Sequence, residues 1–261
     1  MEKQSALRTP QSMPTQRVAL VTGAANGLGL EIARHLSALG YDLALIDLDV
    51  RTLEEVATSP EFAGRQVVCL HADLSAQRDI VACVEAAAAK FPQVHLLVNN
   101  AGRALRKPAV EVEPAEWDAV LAVNLKGAFF LSTALARLWL ARGQGGAIVN
   151  IASTHGLTGL AERSVYGISK GGMIQMTRML AIEWAAHNIR VNAVAPATVM
   201  TPSRMAMLAD PAQRDSMLAR IPARRFPLAA EIAAAVAYLG GPESASVTGQ
   251  VLAVDGGLTA C

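Results

Sequence analysis

Ser153, Tyr166 and Lys170 have the side-chain types and the spacing of an acid/base centre. Tyr166 and Lys170 are four residues apart, so on a helix they lie on one face with the ammonium beside the phenol. A nearby positive charge lowers the pKa of a phenol from its ordinary ~10 toward the range in which it exchanges protons near neutral pH. Ser153 follows an apolar run, where its hydroxyl can polarise the same substrate oxygen or simply cap a turn. Taken together, the three residues predict proton transfer at a substrate oxygen.

A glycine-rich turn near the N-terminus could hold phosphate. Gly23, Gly27 and Gly29 directly follow the apolar run 17–22 and precede a helical pattern, where free backbone N–H groups and the helix dipole favour a pyrophosphate. Asp47 ends the second apolar run, where a carboxylate would bind ribose hydroxyls and repel a 2′-phosphate. Neither the turn nor the position after Asp47 carries a Lys or Arg, so we predict NAD rather than NADP. A carboxylate that only caps a turn is the alternative for Asp47.

Seven short apolar runs without polar alternation predict buried parallel strands. They alternate with helical patterns, so the predicted fold is α/β: a single-domain Rossmann fold with a doubly wound, seven-stranded parallel sheet flanked by helices. We assign residues 16–261 to this domain and residues 1–15 to a disordered or frayed leader. Residues 197–227 have no strand signal and are predicted to form a substrate lid. The predicted strands are 17–22, 43–46, 66–70, 94–98, 147–151, 189–194 and 251–254, and the predicted helices are 28–39, 78–91, 114–142, 164–187 and 229–240.

The composition excludes several classes of function. The 261 residues carry 23 Lys+Arg and 22 Asp+Glu, with no basic block, so nucleic acid is not an expected partner. Charges interrupt the apolar stretches, so we expect no membrane span. The polar N-terminus lacks the apolar core of a secretory signal, and a cytoplasmic location is expected. Cys69, Cys83 and Cys261 have no metal-ligand spacing, so neither a metal site nor a disulfide framework is expected.

The order of these motifs resembles that of the classical short-chain dehydrogenase/reductase family. The matching motifs are T-G-x-x-x-G-x-G at 22–29, N-N-A-G at 99–102, Asn124 in VNLKG, Ser153 in NIAST, Tyr166 and Lys170 in YGISKGG, and the late VTGQVLAVDGG. The resemblance runs from Val18 to Gly257 and implies four catalytic residues. Tyr166 is the acid/base, Lys170 lowers its pKa and holds the nicotinamide ribose, Ser153 positions the substrate, and Asn124 supports a water relay.

The resemblance also implies where NAD binds. Asp73 would contact the adenine amine, while Thr201 and the Val199 backbone would contact the nicotinamide carboxamide. Ala197 stands where the family usually has glycine, which restricts that turn and puts cofactor binding there in question. The implied cofactor-binding residues are Gly23, Asn26, Gly27, Leu28, Gly29, Asp47, Leu48, Asp73, Leu74, Asn100, Ala101, Gly102, Tyr166, Lys170, Pro196, Val199 and Thr201.

The implied reaction is hydride transfer between the nicotinamide and a secondary alcohol or hemiacetal. His155 together with SKGGM resembles the sugar (glucose-type) 1-dehydrogenases of the family, which favours a sugar, sugar acid or polyol. Arginines around the motifs suggest an anionic substrate, although solvated loop charge is the alternative. The candidate substrate residues are Arg103, Ser153, His155, Arg163, Tyr166 and Arg204, with Arg106 and Lys107 nearby.

Two other functions stay open at this point. The methionines of the predicted lid would also suit a 3-oxoacyl thioester (acyl carrier protein or CoA) reductase. A non-catalytic, NAD-sensing protein on the same fold is the second alternative. The resemblance further implies a homotetramer, assembled through the helices that hold 117–139 and 166–184.

Overall fold

The computed structural model describes residues 16–200 and 210–260, so the predictions for residues 1–15, Thr201 and Arg204 lie outside the described residues. Seven parallel strands form one sheet in the order β3-β2-β1-β4-β5-β6-β7, which confirms the predicted fold. The strands are β1 (Arg17–Thr22), β2 (Tyr41–Asp47), β3 (Val67–His71), β4 (Leu96–Asn99), β5 (Gly146–Ile151), β6 (Ile189–Pro196) and β7 (Val251–Val254).

Helices cover both faces of the sheet, which explains why the strands lack polar alternation. On β1, Val18 and Leu20 enter one core cluster, whereas Ala19 and Val21 enter the other. Helices α3, α5 and α6 pack on the first face, and α1, α2 and α8 pack on the second. The described helices are α1 (Gly27–Ala38), α2 (Val50–Ala57), α3 (Gln77–Lys90), α4 (Pro114–Leu121), α5 (Ala128–Ala141), α6 (Ser164–Trp184), α7 (Pro211–Ala219) and α8 (Ala229–Gly240).

The sheet reverses its direction of growth between β1 and β4. Their register pairs Val21 with Val98, so the turns after these two strands leave the same edge of the sheet side by side. In open α/β sheets, ligands bind in the crevice at this switch point. The crevice is therefore where the glycine-rich turn and the N-N-A-G motif meet.

Several element boundaries differ from the prediction. Strand β4 begins at Leu96 rather than 94; directly before it, the Val18 N–H donates to the His95 Nδ1 (3.1 Å), while the His95 N–H donates to the Val18 carbonyl (2.8 Å). Helix α6 ends at Trp184, and residues Ala185–His187 form a 3₁₀ turn. Helix α2 was not predicted, although Val50, Leu53 and Ala57 have helical spacing. The predicted lid contains α7, which Asp210 caps through the Ala212 N–H.

The continuous helical stretch Pro114–Ala141 is apolar and long enough, by length and composition alone, to cross a membrane. Charged residues lie within this stretch, among them Asp118, Lys126 and Arg137. Its apolar window is 44% buried inside the protein. Leu131, Leu135 and Trp139 are fully buried in the core, and the Trp139 Nε1 donates to the Val94 carbonyl at 2.7 Å. This stretch is a core helix of the α/β domain.

Candidate active site

The glycine-rich turn joins β1 to α1 in a shape that suits a pyrophosphate. Gly23 and Gly27 have φ of +65° and +57°, which glycine adopts without strain. A Cβ atom on Gly29 would lie 2.0 Å from the Gly23 carbonyl oxygen, so only glycine closes this turn. Asn26, the residue before helix α1, makes no side-chain capping bond, which leaves the first N–H groups of the helix for a ligand. The residues present therefore fit the diphosphate of a nicotinamide nucleotide.

Thr22 and Asn100 fasten this turn to the end of β4. The Thr22 Oγ1 donates to the Val98 carbonyl (3.2 Å) and accepts the N–H groups of Asn100 (2.9 Å) and Ala101 (3.0 Å). The Asn100 Nδ2 in turn donates to the Thr22 and Gly23 carbonyls at 2.9 and 3.2 Å. These hydrogen bonds fix the N-N-A-G backbone against the glycine-rich turn.

Two carboxylates lie at the end of the crevice where an adenosine would bind. The Asp47 Oδ2 accepts the Ala25 N–H of the glycine-rich turn at 2.9 Å, and its Oδ1 accepts the Asp49 N–H at 3.2 Å. Hydrogen bonds from Ser75, with a smaller contribution from the Arg103 guanidinium, hold the pKa of Asp73 below its ordinary value. Both side chains line the same cavity.

Ser153 follows β5 and caps the 3₁₀ turn Thr154–Gly156. Its Oγ accepts the His155 N–H at 3.1 Å, and the side chain is buried. A hydroxyl that accepts a hydrogen bond still has its own hydrogen to donate. Ser153 can therefore donate to a substrate oxygen from a fixed position.

Lys170 lies one helical turn after Tyr166, as the spacing predicted. Its Nζ is 5.9 Å from the centroid of the Tyr166 ring and donates to the Ile151 carbonyl at 2.6 Å. The side chain is 3% exposed, and this burial lowers the pKa of Lys170 to about 8. A positive charge next to the phenol is therefore present at neutral pH.

Asn124 lies in a π-helical turn, Ala122–Gly127, between α4 and α5. Its Oδ1 accepts the Arg103 N–H at 2.7 Å, and its Nδ2 donates to the Arg103 carbonyl and to the Ser169 Oγ, both at 3.0 Å. The side chain is fully buried, so it fixes the segment after N-N-A-G to helix α6. The water relay that the resemblance implies for Asn124 stays a prediction.

One cavity of about 1240 Å³ connects the glycine-rich turn with Ser153, Tyr166 and Lys170. Gly29 and Asn124 lie behind its wall and do not line it. Ala197 has no positive φ, so alanine fits this turn without strain. The other predicted residues that line the cavity are Gly23, Asn26, Gly27, Leu28, Asp47, Leu48, Asp73, Leu74, Asn100, Ala101, Gly102, Arg103, His155, Arg163, Pro196 and Val199.

The wall also contains residues that were not among the predicted site residues, for example Met217, Arg220, Ile221 and Leu258, of which the first three lie within the predicted lid. Asp210 followed by Pro211 is a helix-start signal that could have revealed α7, which carries the first of them. No pattern marks Leu258, which reaches the cavity through the turn after β7. Groups of three or more metal-ligating side chains are not found in the part of the chain that the structure describes.

Some of the basic side chains near the cavity form ion pairs or hydrogen bonds within the protein. Arg106 pairs with Glu162 at 2.6 Å, and Lys107 pairs with Glu116 at 2.8 Å. Both charges are thus balanced, which matches the alternative of loop charge for these two. The Arg163 Nη1 donates to the Leu105 carbonyl at 3.3 Å, and its side chain also lines the cavity.

Known proteins resemble the chain over nearly its whole length. A family model described as enoyl-(acyl carrier protein) reductase matches residues 23–259. The 2-dehydro-3-deoxy-D-gluconate 5-dehydrogenase of Escherichia coli (strain K12) is 38% identical over 243 residues, which are 92% of this chain and 94% of that protein. The galactitol 2-dehydrogenase (L-tagatose-forming) of Cereibacter sphaeroides is 41% identical over 245 residues, with 92% and 94% covered.

A solved structure agrees in fold as well. The gluconate 5-dehydrogenase from Burkholderia cenocepacia J2315, crystallised with NADP and tartrate, superposes with a TM-score of 0.89 at 32% identity, covering 94% of this chain and 96% of that chain. The fold, the order of the motifs and these relatives agree with one another, and they confirm the resemblance. The chain belongs to the classical short-chain dehydrogenase/reductase family and is an oxidoreductase of alcohol groups that uses a nicotinamide cofactor.

Proposed function

We propose that this protein interconverts a secondary alcohol or hemiacetal of a sugar, sugar acid or polyol with its carbonyl form. The observation that carries the proposal is the placement of Ser153, Tyr166 and Lys170 on one cavity that also reaches the glycine-rich turn. The names of the two curated relatives, a sugar-acid dehydrogenase and a polyol dehydrogenase, support this substrate class.

The chain's own residues divide the work as follows. A bound nicotinamide nucleotide supplies the acceptor or donor of the hydride. Ser153 donates a hydrogen bond to the substrate oxygen; the Tyr166 phenolate accepts the proton of the alcohol, and in the reverse direction the phenol returns it to the carbonyl oxygen. Lys170 favours the phenolate because its ammonium lies beside the ring, and its bond to the Ile151 carbonyl keeps it there. Asn124 holds the Arg103 backbone against α6.

The test is formation of the reduced cofactor, read by absorbance, with polyols and aldoses beside their carboxylate, phosphate and sulfonate counterparts. Tyr166→Phe should lose turnover and retain cofactor affinity, because only the proton exchange is removed. Equal turnover in Tyr166→Phe and the parent protein would refute this role. A non-catalytic NAD-sensing protein predicts no turnover in either.

We propose NAD as the preferred cofactor. Asp47 places a carboxylate at the end of β2 that lines the cavity, whereas neither Asp49 nor Arg51 lines it. A 2′-phosphate would meet this negative charge, so we expect kcat/KM for NAD to exceed that for NADP by more than about tenfold. Asp47→Asn should lower the ratio of kcat/KM for NAD to kcat/KM for NADP. Because the Burkholderia relative was crystallised with NADP, equal values for the two cofactors are the outcome that would overturn the preference.

We also propose that the substrate is anionic and that Arg163 contacts it. Arg163 precedes Tyr166 by three residues and lines the cavity, and Arg220 enters the same cavity from the end of α7. In the described residues, 16–200 and 210–260, Arg220 makes no ion pair. The tartrate in the Burkholderia structure is a hydroxy acid, which is compatible with this class.

The matched test compares Arg163→Gln with Arg178→Gln, an exposed arginine on the outer part of α6. Loss of a charge-assisted hydrogen bond should raise KM for an anionic substrate about tenfold or more in Arg163→Gln and leave KM for its neutral counterpart unchanged. Arg178→Gln should change neither. Equal losses on both substrates would show that Arg163 acts through contacts within the protein, such as its bond to the Leu105 carbonyl, and not on the substrate charge.

Reduction of a 3-oxoacyl thioester is the second candidate. Met217, Ile221 and Leu258 give the cavity an apolar wall, and the matching family model is described by a reductase of acyl carrier protein substrates. Thioester reduction without turnover of any sugar, sugar acid or polyol would favour this alternative over the first proposal.

The protein is further proposed to form a homotetramer. Met179 and Ile182 on α6 are 58% and 81% exposed, and Phe129 on α5 is 38% exposed, which is costly for apolar side chains in a monomer. Light scattering should give four times the chain mass, and Ile182→Glu should reduce it. A cytoplasmic location belongs to the same proposal, because Cys69 and Cys83 are free, as in reducing compartments.

A further inference from the structure

The 3₁₀ turn Thr154–Gly156 lies against helix α6 at a distance that a side chain would prevent. A Cβ atom on Gly156 would lie 2.7 Å from the Lys170 carbonyl carbon and 2.8 Å from the Gly171 amide nitrogen. These atoms belong to the backbone, so they cannot rotate away. Gly156 has no positive φ, which shows that close approach rather than backbone conformation requires glycine here.

A second glycine makes the same contact from the side of the helix. A Cβ atom on Gly167 would lie 2.9 Å from the His155 carbonyl oxygen. By contrast, a Cβ atom on Gly171 would lie 3.6 Å from the Gly156 carbonyl oxygen, an ordinary van der Waals distance. The three glycines therefore form a graded series, from a backbone clash to no clash.

This contact between turn and helix lies between Ser153 on one side and Tyr166 and Lys170 on the other. Ser153 directly precedes the turn and is oriented by the His155 N–H, whereas Tyr166 and Lys170 lie on α6. The His155 ring lies edge-on to the Tyr166 ring, with centroids 6.0 Å apart. Any change in the spacing between turn and helix would move the serine hydroxyl relative to the phenol.

We propose that Gly156 and Gly167 are positioning residues for the reaction. They contact no substrate atom; by carrying no side chain, they set the distance between the Ser153 hydroxyl and the Tyr166 phenol. Hydrogen-bond donation and proton exchange at one substrate oxygen need both groups within reach of it, and small misplacements of reacting groups are costly.

The test is the series Gly156→Ala, Gly167→Ala and Gly171→Ala, with Gly171→Ala as the matched control on the same interface. We expect kcat to fall by about tenfold or more in Gly156→Ala and by less in Gly167→Ala, and to stay within about twofold in Gly171→Ala. KM for the cofactor should change less than kcat in Gly156→Ala and Gly167→Ala, because the glycine-rich turn that fits the diphosphate is not part of this contact.

The melting temperature separates positioning from a purely structural effect. Alanine favours a helix over glycine, so Gly167→Ala and Gly171→Ala gain helix propensity within α6. We expect Gly167→Ala to lose kcat without melting at a lower temperature than the parent protein. Full kcat in Gly156→Ala, or equal losses of kcat in Gly171→Ala and Gly156→Ala, would overturn the inference. So would losses of kcat that follow the melting temperature in all variants.

The inference depends on the proposed function only for a measurable turnover. The three variants are measured with whichever substrate the parent protein turns over, including a 3-oxoacyl thioester. If the sugar or polyol proposal fails, the expected order of the kcat losses can therefore still be tested. If the parent protein turns over none of them, the proposed function fails. The inference is then tested with crystal structures of Gly156→Ala and the parent protein. If the Thr154–Gly156 turn has not moved relative to helix α6, the inference is overturned.

Discussion

Replacing Lys170 with methionine should stabilise the protein while abolishing its turnover. Burial lowers the pKa of Lys170 from 10.5 to about 8. Each pKa unit corresponds to about 1.4 kcal/mol, so keeping the ammonium charged in the folded protein costs about 3 kcal/mol at neutral pH. Methionine keeps most of the apolar stem and removes the charge.

One interaction opposes this gain. Lys170→Met removes the hydrogen bond to the Ile151 carbonyl and leaves that buried oxygen unpaired, which costs about 1–2 kcal/mol. The net stabilisation is therefore about 1–2 kcal/mol. For a chain of this length that corresponds to a rise of about 2–8 °C in melting temperature.

The gain should depend on pH in a defined direction. Between pH 8 and 10.5 the unfolded lysine still binds a proton that the folded lysine has lost, so the stability of the parent protein rises with pH across this window. Lys170→Met lacks this dependence, and its advantage should be largest below pH 8 and disappear toward pH 10.5. Thermal unfolding followed by circular dichroism, without cofactor, measures both effects.

The control is Lys126→Met, which removes an exposed lysine and should change neither melting temperature nor pH dependence. A lower melting temperature for Lys170→Met than for the parent protein below pH 8 would refute the reasoning. It would show that the hydrogen bond to the Ile151 carbonyl contributes more than burial of the charge costs.

Two further predictions concern the end of the sheet opposite the cavity. Burial and the Arg17 charge hold the pKa of His95 below 6.5, so the unfolded protein binds a proton first as the pH falls. Melting temperature should therefore decline below pH 6.5, and His95→Asn should flatten this decline while His187→Asn, at an exposed site, should not. Arg190 donates to the carbonyls of Leu239, Gly241 and Val247. Arg190→Met should cost about 3 kcal/mol or more in unfolding free energy, measured with denaturant, and leave KM for the cofactor unchanged.

The sheet and the order of the motifs could be predicted from the sequence because their signals are local. A run such as 17–22 is buried on both faces, so it contains no polar alternation, and its end is marked by a glycine-rich turn. The spacing of Tyr166 and Lys170 has only one consequence on a helix, which is a shared face. These features need no knowledge of distant contacts.

Features that depend on contacts between residues far apart in the chain could not be predicted from the sequence. Nothing near Arg106 or Lys107 in the chain reveals that Glu162 and Glu116 balance their charges. Strand β4 started two residues later than predicted, at a point where the His95 ring accepts the Val18 N–H of the neighbouring strand. Both outcomes depend on which loops the fold brings together, and periodicity carries no information on that.

Asp47 shows that a carboxylate can cap a turn and still have acceptors for a ligand. The sequence left open whether this carboxylate binds a ribose or caps a turn. In the structure it caps, because its oxygens accept the Ala25 and Asp49 N–H groups. Each carboxylate oxygen has a second lone pair, so the capping bonds leave acceptor capacity for ribose hydroxyls. The residue that helps to set the shape of the glycine-rich turn therefore also has the acceptors that the proposed ribose contact requires. A substitution that removes its charge is consequently expected to act on the turn as well as on the proposed cofactor preference.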